Sequence, residues 1–418
     1  MRSKLLPIFF VVLVDVFGLT LVIPLLAIYA EHFSATPLDA TLLVSIYAAF
    51  QLFSGPILGR LSDRYGRKPL LLVSQAGTFL SFLLMARANS LLVLFVARAL
   101  DGATAGNLSI AQAYISDNTE PAERAKSFAL IGIAFGLGFF IGPFLSGWLS
   151  ASHGLAAPIW LAAALSATSI VATLTLLPSG KPAERQPTSG PASGAPTAPR
   201  VSLFEFGVYR DMLGRPVLGG LLLQSVAYIV SFGIFTSGFA LYAERTYQWH
   251  GRPFGIREVG YVFAFVGFLG IGLQGGLIGR LVRRLGEPKM VSSGFIALII
   301  GYIGLAMAHS VSALLTVATI NAYGNAVLRP VLNSLISQAA GRHEQGTALG
   351  INQSLSSIGQ IFAPMLAGAL IERRMLAGWA LAAAVSAAIG LALVRIGSGR
   401  LPNGKSPPHG GEPTAGRA

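Results

Sequence analysis

Residues 42–86 read LLVSIYAAFQLFSGPILGRLSDRYGRKPLLLVSQAGTFLSFLLMA. Two apolar runs flank a basic turn, and each run has about the 20 residues that a helix needs to cross a hydrocarbon layer. In water both helices of such a hairpin would expose apolar side chains all round. In lipid, where every backbone polar group must be satisfied within the segment, a chain crossing out and back is the expected unit.

The rest of the 418 residues extends that unit. Hydrophobic residues make up 53% of the chain and charged residues 11%, against roughly a quarter charged in soluble domains. An ordinary soluble enzyme is excluded. The absence of cysteine also excludes a disulfide framework and a thiolate metal site. The net charge of +13 does not point to nucleic acid, because Lys and Arg punctuate apolar runs rather than gather into one patch. Apolar runs bounded by charge or turn residues predict helices at 5–30, 41–61, 68–88, 90–116, 125–150, 155–178, 212–243, 256–282, 288–308, 311–340, 346–371 and 376–396. The first follows Arg2 and Lys4, as a signal peptide would. Its apolar stretch is far longer than the roughly 7–15 residues of a signal core, so it reads as a span. The predicted fold is an all-α integral membrane protein with twelve transmembrane helices.

Placing the N terminus inside puts most of the 30 Lys and Arg on that side, while the outer side receives Arg87, Arg245, Arg252, Arg257, Arg373 and Arg374. That asymmetry predicts both termini in the cytoplasm. Residues 179–211 are rich in Pro, Gly, Ser and Ala and read as a flexible linker. The linker separates a six-span unit, 1–178, from a second, 212–396, and residues 397–418 read as a disordered cytoplasmic tail. The two units match at a nearly constant offset. Gly55, Gly59, Arg60, Leu61, Arg64 and Gly66 recur as Gly275, Gly279, Arg280, Leu281, Arg284 and Gly286, and GFFIGPFLSG at 138–147 recurs as GQIFAPMLAG at 359–368. Two matches of this kind imply internal duplication into pseudo-symmetric six-helix bundles around a central cavity, an architecture of transporters.

Few ionisable residues fall well inside spans: Asp15, Arg98, Asp101 and Arg329. Each costs about 2.5 to 3.5 kcal/mol at the bilayer centre, which makes each a candidate functional group. Asp15 and Asp101 lie at similar depth, and Arg98 shares a helix face with Asp101. Two acids and one guanidinium leave an excess negative charge, so one acid should take up a proton reversibly. The sequence leaves open which acid that is. Asp63 lies near the negative end of its helix and requires a partner, either Arg67 or the N-terminal end of a neighbouring span. Gly138, Gly142 and Gly147 in span 5 permit close helix approach, and Pro143 permits a bend. In the second unit, Asn321, Asn325, Arg329 and Asn333 recur every four residues. With Gln224, Asn352 and Gln353 they are candidates to line a wet substrate cavity.

The turn residues Gly59, Leu61, Asp63, Arg64, Gly66, Arg67 and Lys68 resemble the loop signature of the major facilitator superfamily, and the resemblance extends over essentially the whole chain. It implies a gating latch built from Gly59, Asp63, Arg64, Gly66, Arg67 and Lys68, with Asp117 as a further member. In the second copy Arg283 replaces the acid. Span 5 is similar to the antiporter signature of drug:proton exchangers, with Ser146 in place of a glycine. RALDG at 98–102 resembles the span-4 signature, in which the matching arginine is tied to proton transfer. Asp15 matches the span-1 acid of tetracycline-exporter-like members.

These readings predict a secondary transporter of the cell membrane that exports small amphipathic or drug-like solutes in exchange for protons. The competing transport reading is a proton-coupled symporter or facilitator of an organic anion or metabolite. A receptor or enzyme is the distant alternative, since no HExxH, GxxxxGK[ST] or nucleophile–base constellation occurs. The expected partners are a small-molecule solute, protons and the lipid bilayer, on a monomer with no cofactor, metal or nucleic acid.

Overall fold

Each apolar run becomes a helix whose ends fall at charged, proline or glycine residues. A computed structural model describes residues 2–119, 124–177, 206–340 and 344–398. Most of the expected linker and nearly all of the tail lie outside the described residues. The first unit comprises α1 (Arg2–Glu31), α2 (Pro37–Tyr65), α3 (Arg67–Ala86), α4 (Leu91–Ala103), α5 (Asn107–Asp117), α6 (Arg124–His153) and α7 (Ala157–Leu176). The second begins with a short helix, α8 (Phe206–Gly214), which takes in the last residues of the expected linker. It continues with α9 (Pro216–Thr246), a hairpin of β1 (Gln248–Trp249) and β2 (Arg252–Pro253), and α10 (Ile256–Gly272). A π-helical turn at Leu273–Leu277 leads into α11 (Ile278–Leu285), followed by α12 (Glu287–Met307), α13 (Val311–Ala340), α14 (Gln345–Glu372) and α15 (Leu376–Ser398).

Eleven stretches among the described residues are long and apolar enough to cross a membrane. The other expected span, 256–282, is formed by α10, the π-helical turn and α11. That turn contains Gly275 and Gly276, which give a regular helix the least support.

Local chemistry sets the ends. Asp39 accepts the Thr36 backbone N–H at 3.0 Å while its own N–H donates to the Thr36 hydroxyl at 3.2 Å, a reciprocal cap on α2. Gly66, between α2 and α3, has φ 99° and ψ 155°, and Gly286, at its duplicated position between α11 and α12, has φ 79° and ψ 153°. Only glycine adopts such angles without strain. The duplication therefore appears in backbone geometry as well as in sequence. Pro143 in α6 and Pro364 in α14 likewise occupy matching places inside their helices.

Within the first bundle α1 packs on α6 and α7, α2 on α4, and α3 on α7; within the second α9 packs on α14 and α15, and α12 on α13 and α15. The bundles meet where α6 faces α10 and α2 faces α14. Leu92, Met307 and Val385 are largely exposed, as lipid-facing side chains are.

Span 4 departs from expectation. The sequence predicts one helix over 90–116, whereas the structure breaks it between Ala103 and Asn107. Ser74 of α3 fills the break, accepting the Gly106 N–H at 2.9 Å and donating to the Thr104 carbonyl. The backbone groups freed by the interruption are satisfied from a neighbouring helix, as a break at this depth demands.

Among the described residues, the polar contacts between the bundles gather toward one end. Ser45 donates to the Ile361 carbonyl at 2.7 Å, Gly368 meets Leu38 and Thr41, and Gly260 and Gly267 lie against the α6 backbone at Pro143, Phe139 and Phe140. Among the described residues, no hydrogen bond, ion pair or ring contact joins the bundles at the opposite end, which carries Arg60, Arg64, Arg67 and Lys68. Among the described residues, the cleft between the bundles is thus bridged at the end bearing Glu31 and by no such contact at the basic end.

Candidate functional site

The charged cluster lies where α1 passes the interrupted span 4. Arg98 and Asp101 are 3% and 5% exposed and form an ion pair at 2.7 Å. Their spacing of three residues makes it a pair within one helix turn. Arg98 also donates to the Leu43 carbonyl at 3.3 Å and stands 4.2 Å from the Tyr47 ring centroid, so its charge is fully accommodated. Asp15 is different. Both of its oxygens are buried without a hydrogen-bond partner, with Asn107 at the start of α5 and Asp101 as its polar neighbours. The structure therefore groups Asp15, Arg98 and Asp101 as expected and divides their situations: Asp101 has a counter-charge and Asp15 has none.

Tyr47 and Asn107 went unremarked in the sequence because nothing local marks them. Their importance comes from α2 and α5 meeting α4 and α1.

At the basic end Arg67 pairs with Asp63 at 2.7 Å and with Asp117 at 2.9 Å, and donates to the Ser62 hydroxyl at 2.6 Å. Lys68 donates to the Leu174 and Leu177 carbonyls at 2.8 and 2.7 Å, capping α7. The Arg64 guanidinium lies 5.5 Å from the Tyr65 ring centroid, and Gly59 faces open space. The described contacts of this network all lie within the first bundle.

A Cβ on Gly138 would collide with Val16 and one on Gly142 with Thr20, both on α1, whereas one on Gly147 would press on Ile256 and Arg257 of α10. α6 thus packs on the Asp15-bearing helix through one set of small residues and on the other bundle through another.

The four-residue stripe on α13 does not stay on one face. A step of four residues drifts by about 40° on a helix of roughly 3.6 residues per turn, so three steps turn through about 120°. Asn321 is 2% exposed and packs against Gly301 of α12, and Asn325 donates to the Asn321 carbonyl at 3.0 Å. Arg329 and Asn333, further along, are exposed. Asn333 accepts from Asn352 of α14 at 3.1 Å, Gln353 beside it is exposed, and Gln224 is buried in α9. The stripe's first two members thus serve packing between α12 and α13, and the last two face the cleft. Arg329 lies 5.3 Å from the ring centroid of Phe135 on α6, across the divide between the bundles. Phe235 is packed among Phe239, Phe263, Tyr302 and Trp379.

A family profile described as Major Facilitator Superfamily matches residues 8–363 and, in a second overlapping match, 268–416. The chain belongs to the Major Facilitator Superfamily. Within that superfamily it is 28% identical over 362 residues to the tetracycline resistance protein, class B, of Escherichia coli, covering 85% of each chain. It is 26% identical to multidrug resistance protein 2 of Bacillus subtilis (strain 168), covering 87% of this chain and 89% of the relative. The human organic anion transporter MFSD10 (TETRAN) shares the fold at a TM-score of 0.69 and 21% identity, over 94% of this chain and 99% of that one. The protein is a multi-pass membrane transporter of this superfamily, not an enzyme, and resembles its drug exporters in sequence.

Proposed function

We propose that this transporter exports small amphipathic solutes across the cell membrane in exchange for protons. The chain crosses the membrane twelve times, counting the π-interrupted helix, with both termini and the basic end in the cytoplasm. The observation that carries the reading is Asp15: a buried carboxylate with no counter-charge of its own, next to an acid that has one. In the state open to the cytoplasm, Asp15 releases its proton and solute enters between the bundles. Rocking of the bundles then presents the solute to the outside, where Asp15 is reprotonated and the cycle is driven back. The chain's own groups do the work: Arg98 holds Asp101, α6 transmits the motion of α1, and the Arg67 network steadies the cytoplasmic end. The names of the tetracycline and multidrug resistance relatives support export of drug-like solutes.

The test is proteoliposomes loaded with pyranine and facing an imposed proton gradient, with solute movement followed in parallel. Protons moving opposite to solute are the expected result. Protons moving with solute would replace export by symport, and solute flux indifferent to the gradient would leave Asp15 without a role in coupling.

A further inference from the structure

The two arginines set within spans have opposite surroundings. Arg98 is buried and engaged by Asp101, the Leu43 carbonyl and the Tyr47 ring. Arg329 is exposed, roughly three turns from the end of α13, and among the described residues no carboxylate or carbonyl takes any of its N–H groups. The Phe135 face lies 5.3 Å away on the other bundle, and the neutral Tyr228 is near it on α9. The described acids of the second bundle, Asp211, Glu244, Glu258, Glu287, Glu344 and Glu372, all lie at or near helix ends. A guanidinium at this depth is costly unless water or a counter-charge meets it, and no described acid of the second bundle lies where it could do so.

The surroundings suit a ligand. Asn333 lies one turn along the same face with its amide held by Asn352, and Gln353 is exposed beside it. Guanidinium presents a planar fork of donors matched to two oxygens of one anionic group. A neighbouring aromatic face offers apolar area to a ring attached to that group. We propose that Arg329 is the substrate's anion-binding residue, holding the carboxylate or sulfonate of an amphipathic aromatic solute whose ring lies against Phe135. The inference rests on the transport reading above and names the class of solute it carries: organic anions bearing a flat apolar body.

The test compares fluorescein, an anionic dye, with rhodamine 123, a cationic dye on the same tricyclic frame, by fluorescence anisotropy on the purified full-length protein. Wild type should bind fluorescein. In Arg329→Ala the affinity for fluorescein relative to rhodamine 123 should fall by about ten-fold or more, the loss expected for a charge-assisted hydrogen-bonding site, and Arg329→Lys should recover part of it. On wild type alone, 2-naphthoate should displace bound fluorescein while the uncharged 2-naphthamide should not, a result independent of how any variant folds. Failure of wild type to bind fluorescein, an unchanged affinity ratio in Arg329→Ala, or equal displacement by the amide overturns the anion site. Flux of both dyes in proteoliposomes separates the two readings. Arg329-dependent binding without flux of either dye sustains the anion site and sinks transport of these solutes, whereas rhodamine 123 flux without Arg329-dependent fluorescein binding does the reverse.

Discussion

Arg245, in the last turn of α9, forms an ion pair with Glu31 at the end of α1, so a charged contact adds to the Ser45–Ile361 hydrogen bond in tying the first bundle to the second. Glu244 lies alongside, 3.7 Å from the same guanidinium. With side chains 33% and 21% exposed, the pair is a partly wet one, of the kind that contributes about 0.2–1 kcal/mol. That suffices to bias two conformations of similar free energy without fixing either.

Arg245→Gln should therefore move the population toward the state open at this end, by roughly 1.4- to 5-fold on that energy scale. The chain has no cysteine, so single cysteines at the ends of α2 and α14 can report opening by spin-label distances. Exchanging the charges, Glu31→Arg with Arg245→Glu, should restore the wild-type distribution. Identical distances in wild type and Arg245→Gln would show that the pair does not hold the cleft shut.

The two acids at mid-depth should respond differently to the same change. Asp15→Asn removes an acid that pairs with nothing, so the protein should fold and bind solute but lose proton-driven flux. Asp101→Asn strands Arg98 in the interior, and breaking a buried pair on one side costs about 3–5 kcal/mol. Its first effect should be a lower melting temperature and yield, relieved by adding Arg98→Gln. Full coupling in Asp15→Asn, measured with pyranine, would transfer the proton to another group.

Most of the helices were legible because their ends coincide with chemistry the chain states locally. Span 311–340 is α13 residue for residue, and the turn at Gly66 is written in its own residues and again at Gly286. The break in span 4 was not legible, since it is held by Ser74 from another helix. Spacing alone identified the Arg98–Asp101 pair, yet only the folded chain separates paired Asp101 from unpaired Asp15. The α13 stripe misled for a geometric reason: a period of four looks like one face in a line of letters and winds around a helix of 3.6. Phe135 carried no signal at all, because its relation to Arg329 exists only across the two bundles.

Glycines of α6 and α10 should separate stability from conformational preference. A side chain at Gly142 strikes Thr20 within the first bundle, so Gly142→Val should lower the melting temperature, at a cost of about 1–3 kcal/mol for overpacking. A Cβ at Gly267 would lie 2.6 Å from the Phe139 carbonyl oxygen of the opposite bundle, a close approach between the bundles about midway along α6. Gly267→Ala should leave each bundle intact and raise the population in which the bundles part here, read by the same spin-label pairs. Equal melting temperatures for wild type and Gly142→Val, or an undisturbed population in Gly267→Ala, would mean that the helices slide to absorb the added carbon.

A last expectation concerns acid. Arg215, between α8 and α9, donates to both oxygens of Glu344 at the head of α14 and to Asp211 at 2.8 Å. The hydrogen bonds from Arg215, aided by its charge, hold the Glu344 carboxyl below the ordinary glutamate range, against an opposing effect of desolvation. A carboxyl whose affinity for protons is lower folded than unfolded adds stability above its unfolded value and loses it as pH falls through its folded one. The tie between α8–α9 and α14 should therefore be constant at neutral pH and disappear only in acid. Because Glu344 is at the surface, the effect should be small. In detergent, the melting temperature of Glu344→Gln should sit slightly below wild type at pH 7 and converge with it as the medium is acidified past the glutamate range. A gap that persists unchanged into acid would mean that the amide loses something other than this ion pair, such as packing at the start of α14.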